Sequence, residues 1–192
     1  MDRSDEEIMK LYQSGDSQAM THIFQRYKIR ILNFCFGLLG NRADAEEAAA
    51  EVFLTLVADK NSYDTSRTFS TWIYTIARNK SIDRIRKRKN ILSLWVSSRD
   101  GSDDEMMDIS DTNDHSRDAL IRKEISVNVR RAIAKLPDEQ KEAIMLRQYH
   151  KFSYQQISTV LGCSLEKVKI LIFRAKEQLR VELMSFVEEE QL

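Results

Sequence analysis

The sequence predicts an all-α protein: two small helical domains joined by a flexible acidic linker, the second containing a helix-turn-helix. Three observations lead there. Glycine (5) and proline (1) are too scarce in 192 residues for the many tight turns of an all-β fold. Apolar side chains recur at three- and four-residue spacing in both halves of the chain. Between those halves, residues 97–118 are rich in Gly, Ser, Asp and Asn and hold few apolar side chains, so they bury too little to fold alone. The expected organisation is a domain over 1–96, a linker over 97–118 and a domain over 119–192.

Each helix has its own signals. Ser4-Asp5-Glu6-Glu7 is a capping box, in which Ser4 caps and Glu7 reaches back to it, and Ile8, Leu11 and Tyr12 follow at helical spacing. Asp16 caps a second helix carrying Ile23, Phe24, Tyr27, Ile31, Leu32, Phe34 and Cys35, with Gly37 and Gly40 marking its end. Asn41 caps a third helix, acidic at Glu46, Glu47 and Glu51 and apolar at Val52, Phe53, Leu56 and Val57. After a polar, turn-rich stretch over 59–66, a fourth helix runs from about Arg67 into Arg84-Ile85-Arg86-Lys87-Arg88-Lys89, with Phe69, Ile73 and Ile76 as its apolar stripe. Ile82 and Ile85 fall off that stripe. Beyond the linker, helices are expected over about 119–135 and 138–149, broken at Leu136-Pro137-Asp138.

The last segment carries the clearest motif. Ser153-Tyr154-Gln155-Gln156 is a second capping box, opening a short helix with Ile157, Val160 and Leu161. Gly162-Cys163-Ser164 breaks it, and Ser164 caps the helix that follows. Two short helices across a glycine turn read as a helix-turn-helix, although an ordinary helical hairpin has the same outline. At ~100° per residue, Val168, Ile172, Ala175 and Leu179 share the core face of the second helix. Lys167, Ile170, Leu171 and Arg174 share a neighbouring face, with Lys169, Phe173 and Lys176 on the other flank. A basic helix of this kind suits the major groove.

Charge sharpens the reading. The formal net charge is zero, but residues 1–99 sum to +4, residues 100–118 to −7 and residues 119–192 to +3. Two mildly basic segments thus flank an acidic one, a pattern suited to nucleic-acid contact outside and a solvated linker inside. On the fourth helix, Trp72, Thr75, Asn79 and Arg86 share a face beside the cationic run, where an aromatic and an amide suit bases and cations suit phosphates. The alternative is a core Trp72 beside a solvated charged end.

Other classes find little support. No apolar run approaches the ~18 residues of a membrane span, and the acidic opening Met1-Asp2-Arg3-Ser4-Asp5 does not resemble a signal segment, so a cytoplasmic protein is expected. Cys35, in an apolar run, and Cys163, in a turn, read as structural. His22, His115 and His150 have no metal-ligand spacing with either cysteine. There is no glycine-rich phosphate loop, nucleophile elbow or zinc motif. Neither a catalytic residue, a metal, a cofactor nor a small-molecule substrate is expected.

Fragments from both halves together resemble bacterial RNA polymerase sigma factors of the compact extracytoplasmic-function type. They are Asp44-Ala45-Glu46-Glu47, Glu51-Val52-Phe53-Leu54, Thr71-Trp72-Ile73-Tyr74-Thr75-Ile76-Ala77-Arg78-Asn79, Ile82-Asp83 and the basic run, then Leu136-Pro137, Ser153-Tyr154, Ile157, Leu161-Gly162, Val168-Lys169 and Arg174-Ala175-Lys176. The resemblance implies a subunit that binds core RNA polymerase and promoter DNA without enzymatic activity of its own, and is often held by an anti-sigma factor. Its first domain would bind the polymerase through Glu46, Glu47, Glu51, Phe53 and Leu54. That domain would also capture and open the minus-ten element through Thr71, Trp72, Asn79, Asp83, Arg84, Arg86, Lys87 and Arg88. Tyr63 and Phe69 would flank the loop that pockets a flipped base, an event that costs a few kcal/mol of unstacking. Lys167, Lys169, Phe173, Arg174 and Lys176 would read the minus-thirty-five element, while the acidic linker would cross a basic channel of the polymerase.

The sequence departs from the family pattern at Ala48-Ala49-Ala50, in the polymerase-binding helix, and at Ile170-Leu171, which would face DNA and can meet thymine methyls but cannot donate to guanine. Two other functions share many of these features. A sigma mimic that sequesters an anti-sigma factor would not need the basic run or the basic recognition helix. A polymerase-independent helix-turn-helix regulator would not need the pattern from Glu46 to Leu54.

Overall fold

The structure is a computed structural model describing residues 3–94 and 127–189, with side chains placed over 3–88 and 127–184. The chain divides into two compact units, Met1–Glu105 and Met106–Leu192. The expected linker, 97–118, lies outside the described residues, as does the start of the helix expected from about 119. Among the described residues the regular structure is helical throughout.

The first unit contains α1 (Asp5–Gln13), α2 (Ser17–Leu39), α3 (Arg42–Ala58), a 3₁₀ turn (Lys60–Ser62) and α4 (Phe69–Leu94). Its helix ends follow the local chemistry closely. Ser4 and Glu7 complete the capping box of α1, Asp16 caps α2 and Asn41 accepts from the Asp44 amide to cap α3. Gly40 takes the left-handed conformation (φ 69°) that ends α2. Gly37 does not mark the end as expected; it lies within the helix. With only Gly40 and Asn41 between them, α2 and α3 fold back as a tight antiparallel pair.

The core of this unit uses small residues as well as large ones. Ala45, Ala48, Ala49, Val52 and Leu56 form the inward face of α3. Two members of the alanine triplet therefore serve packing: Ala48 and Ala49 let α3 approach its neighbours, and only Ala50 faces solvent. On α4 the inward stripe is Phe69, Ile73, Ala77 and Ser81, at four-residue intervals, joined by Tyr74. Ile76, expected in that stripe, is half-buried, as are Ile82 and Ile85. The buried Ser81 hydroxyl donates to the Ala77 carbonyl at 2.9 Å, so it brings no unsatisfied donor into the core. Phe34 and Tyr74 meet edge to face at 5.1 Å, and burial keeps the phenol of Tyr74 protonated well above its ordinary range. Cys35 is fully buried, and burial pushes its thiol up to about 11.

The second unit contains α5, described over 127–134, then α6 (Asp138–Gln148), α7 (Tyr154–Leu161) and α8 (Leu165–Glu189). Pro137 sits in an extended conformation at the start of α6, where its missing amide costs nothing. The Ser153–Gln156 capping box opens α7, and Gly162 (φ 64°) closes it. Ser164 then accepts from the Lys167 amide at 3.2 Å to open α8. Ile144, Leu146, Ile157, Val160, Val168, Ile172 and Ala175 fill the space between these helices. The helix-turn-helix is formed by α7 and α8.

Candidate nucleic-acid and partner interfaces

In the first unit, the helix α3 presents two different surfaces. Leu54 and Val57 point outward, 66% and 51% exposed. Beside them Phe24 of α2 is partly exposed and stands edge-on to Phe53 at 4.9 Å. The result is an apolar patch contributed by two helices. Phe53 itself is buried beneath it, so of the expected polymerase contacts it supports the surface rather than forming it. Glu46 is exposed and paired only loosely to the fold, through Arg42 on its own helix at 2.9 Å.

Glu47 and Glu51 line the other side of α3 and are engaged by Arg84. That guanidinium lies 2.7 Å from Glu47, 2.6 Å from Glu51 and 3.9 Å from Asp44, and its side chain is largely covered. Lys80 adds a looser pairing to Glu51 at 3.6 Å. Burial works against the charge on Arg84, but the hydrogen bonds from Glu47 and Glu51 outweigh it and hold the group more firmly protonated. Arg84, expected on the minus-ten element, faces α3 here, because it continues the inward stripe one turn beyond Ser81. Asn79, Asp83, Arg86, Lys87 and Arg88 do lie exposed along α4. Arg86 makes only a 3.9 Å contact with Asp83.

Three further expected DNA residues are inside the fold. Tyr63 and Phe69 are buried and meet edge to face at 5.4 Å, and Thr71 is buried with its hydroxyl donating to the Thr68 carbonyl at 2.7 Å. The aromatic residues beside this loop pack against one another, where burial of large apolar rings and their edge contacts both contribute. Trp72 is half-buried, 5.1 Å from Tyr63 and 5.8 Å from Phe69. It is the member of the cluster that reaches solvent. The loop between the 3₁₀ turn and α4 is thus built on aromatics rather than lined by them, and its exposed side chains are polar: Asn61, Ser62, Asp64, Ser66, Arg67 and Thr68.

Sequence reasoning missed the residues that shape this loop. Gln13 at the end of α1 donates from Nε2 to the carbonyls of Lys60 and Tyr63, both at 2.8 Å. Glu6 accepts from the Phe69 amide at 3.0 Å. No local pattern signals either one, because their partners lie 47 to 63 residues away. Tyr63 donates its hydroxyl to the Arg67 carbonyl within the loop. Burial, reinforced by the nearby charges of Glu6, Asp64 and Asp5, pushes that phenol up to about 12.

In the second unit, α8 turns an exposed face outward. Ile170 and Phe173 stand at its centre, 51% and 67% exposed. Lys169 and Lys176 are exposed along one flank, and Lys167 and Arg174 along the other. Lys167 is tied to Glu139 of α6 at 2.6 Å. Leu171 departs from the expected outward position and packs in the core. At ~100° per residue it falls some 60° from Val168 and well away from Ile170, so the Ile170-Leu171 pair is divided between surface and core. Arg147 stacks over Tyr154 at 5.1 Å and donates to the Phe152 carbonyl at 2.8 Å, fixing the entry to α7.

Among the described residues no helix is long and apolar enough to cross a membrane, and no cluster of three or more potential metal ligands occurs.

Comparison with known proteins accounts for both units. The family described as Sigma-70 region 2 matches residues 23–91, and that described as Sigma-70, region 4 matches residues 126–179. The ECF RNA polymerase sigma factor SigW of Bacillus subtilis is 34% identical over 177 residues, covering 91% of this chain and 94% of that protein. The RNA polymerase sigma-H factor of Pseudomonas aeruginosa is 26% identical, covering 96% of each. Among solved structures, the sigma factor RpoE in complex with the anti-sigma factor NepR, from Bartonella quintana, superposes with a TM-score of 0.70 at 21% identity, covering 85% of this chain and 96% of that one. CnrH in complex with the cytosolic domain of CnrY gives 0.69 at 20% identity, covering 95% and 99%. These two likenesses speak to the fold. Two family matches in order, together with SigW over nearly the full length, place this chain in the extracytoplasmic-function family of sigma factors, the subunits that direct promoter-specific transcription initiation by RNA polymerase.

Proposed function

We propose that the two units divide the work of promoter recognition. In the first, Leu54, Val57 and Phe24, with Glu46 at their edge, dock on core RNA polymerase. Asn79, Asp83, Arg86, Lys87 and Arg88 of α4 lie along the minus-ten element, with Trp72 and the polar loop before it receiving an extruded base. In the second, Lys169, Arg174 and Lys176 hold phosphates on either side of the groove, while Ile170 and Phe173 face the minus-thirty-five base pairs. Apolar side chains at that centre favour thymine methyls over guanine edges. Residues 1–96 and 119–192 would act as the two domains and 97–118 as the linker between them. The chemistry of RNA synthesis belongs to the polymerase, and the chain works in the cytoplasm with no enzymatic step of its own.

The observation that carries this reading is the separation of surfaces: apolar and acidic on α3, cationic on α4 and α8. A mimic that only sequesters an anti-sigma factor has no use for the cationic surfaces. An anti-sigma factor is nonetheless an expected partner, since such a factor accompanies the relative RpoE in its structure. The test is run-off transcription with purified core polymerase on a randomised promoter library, with and without the chain. Chain-dependent start sites support the reading and supply the consensus. Core binding without new start sites would turn it towards the sequestering mimic.

A further inference from the structure

We infer that α1 is a brace for the minus-ten loop, and that Gln13 and Glu6 are positioning residues for base selection. The inference rests on the proposed role of that loop and adds what sets its shape. Glu6 and Gln13 are seven residues apart on α1, two helical turns, so both lie on one face. That face meets the two ends of the loop. Gln13 spends both amide hydrogens on the carbonyls of Lys60 and Tyr63, at 2.8 Å each. Glu6 accepts from the amide of Phe69, the first residue of α4, at 3.0 Å, where a carboxylate also opposes the helix dipole favourably. Lys60 closes the arrangement from the loop side: its ammonium donates to the Tyr12 carbonyl at 3.3 Å and lies 5.2 Å from the Tyr12 ring centre.

Between these anchors the loop is held by its own short-range bonds. The Ser62 hydroxyl donates to the Asp59 carbonyl at 2.8 Å. The Ser66 amide donates to the Asp64 carboxylate at 2.9 Å, and the Arg67 amide to the Asp64 carbonyl at 3.0 Å. Each of these fixes a turn, but none fixes the turns against the helices. The bonds from Gln13 and Glu6 do that from the α1 side, as the packing of Tyr63 on Phe69 and Trp72 does from the α4 side. α1 is itself secured to α2, where Asp5 pairs with Arg26 at 2.8 Å and accepts from the Tyr27 hydroxyl. The brace thus stands on the body of the unit. Selection of one base over another depends on donors and acceptors held in place before the base arrives. A loop released from α1 would still offer the same side chains, but would have to order them at each encounter.

The test compares Gln13→Leu, Glu6→Ala and Glu6→Gln in the full chain, assembled with core polymerase. Gln13→Leu removes both donors at similar volume, and Glu6→Gln keeps the acceptor. Open-complex formation is measured on a set of promoters substituted at each minus-ten position. The expected result is that Gln13→Leu and Glu6→Ala bind core polymerase as the wild type does but lose about tenfold in discrimination at one minus-ten position. Glu6→Gln keeps the wild-type profile. An unchanged base profile in both Gln13→Leu and Glu6→Ala, or a loss of core binding in step with every promoter, overturns the inference. Amide hydrogen exchange of the free chain supplies a readout that does not depend on DNA: exchange across 60–68 should accelerate in Gln13→Leu while α3 and the middle of α4 hold their protection. If the wild-type chain selects no start sites, the functional reading fails by itself, and the exchange result alone decides the brace.

Discussion

Truncation of one exposed side chain, Leu54→Ala, should separate polymerase binding from folding. Leu54 is 66% exposed on α3, so its removal leaves no cavity, and alanine is the better helix former. The change in unfolding free energy should stay within about 0.5 kcal/mol. Binding is a different matter. Full burial of a leucine side chain is worth about 1.5–3 kcal/mol. Some two-thirds of this side chain is still available to be covered by a partner, which leaves roughly 1–2 kcal/mol at stake on docking. That corresponds to a loss of about 5- to 30-fold in affinity for core polymerase. Phe53→Ala is the matched contrast. Its ring is buried against Phe24 at 4.9 Å, so truncation should cost about 3–5 kcal/mol of stability and unfold much of the first unit. Competition with labelled wild-type chain for core polymerase gives the affinities, and urea unfolding followed by circular dichroism gives the stabilities. Wild-type affinity in Leu54→Ala at unchanged stability would refute the placement of the polymerase surface on this patch. A stability loss comparable to that of Phe53→Ala would refute its exposure.

Other perturbations test the rest of the molecule. Arg84→Ala should lower stability by about 1–2 kcal/mol, because Glu47 and Glu51 remain partly hydrated when their partner is gone; the gap from wild type should narrow in 1 M salt, and Arg86→Ala should instead leave stability intact and weaken DNA binding by the holoenzyme. Gly162→Ala forces a side chain into φ 64° at the turn before α8 and should destabilise the second unit by about 1–2 kcal/mol, read as a lower melting temperature. At alkaline pH the buried Cys35 thiol should destabilise the fold. Burial raises it from about 9 to about 11, so its contribution is fully present below pH 9 and is lost as pH rises towards 11. A Cys35→Ala variant should lose less stability than the wild type across that window. A steeper loss in the variant would contradict the assignment.

Much of this can be read in the sequence because its causes are local. Ser4 with Glu7 and Ser153 with Gln156 sit three residues apart, and both capping boxes form as the spacing requires. Gly162 marks the turn because few other residues tolerate that conformation. The misplacements have longer-range causes. The inward face of α3 is built on Ala45, Ala48 and Ala49, so a search for large apolar side chains at helical spacing assigns Val57 to the core when it is exposed. On α4 the stripe passes through Ala77 and Ser81, and the large Ile76 beside it draws the expected stripe one position aside. Arg84 is submerged in a run of cations, yet it is a partner of α3, 33 and 37 residues away. Tyr63, Phe69 and Thr71 lie where the family resemblance puts the minus-ten region, and all three are buried, which no local pattern in the sequence signals.

The hairpin of α2 and α3, closed by Gly40 and Asn41, has a consequence for the order in which the first unit assembles. It joins residues close in the chain, so little loop entropy opposes its formation. The bonds from Gln13 and Glu6 join residues 47 to 63 apart, so they carry a larger loop-closure cost, and the Glu6 bond also needs α4 in place. Interactions that form last in folding are commonly the first surrendered in partial opening. Mild heating or low denaturant should therefore blur the choice of promoter while the hairpin, with the apolar patch it carries, still holds.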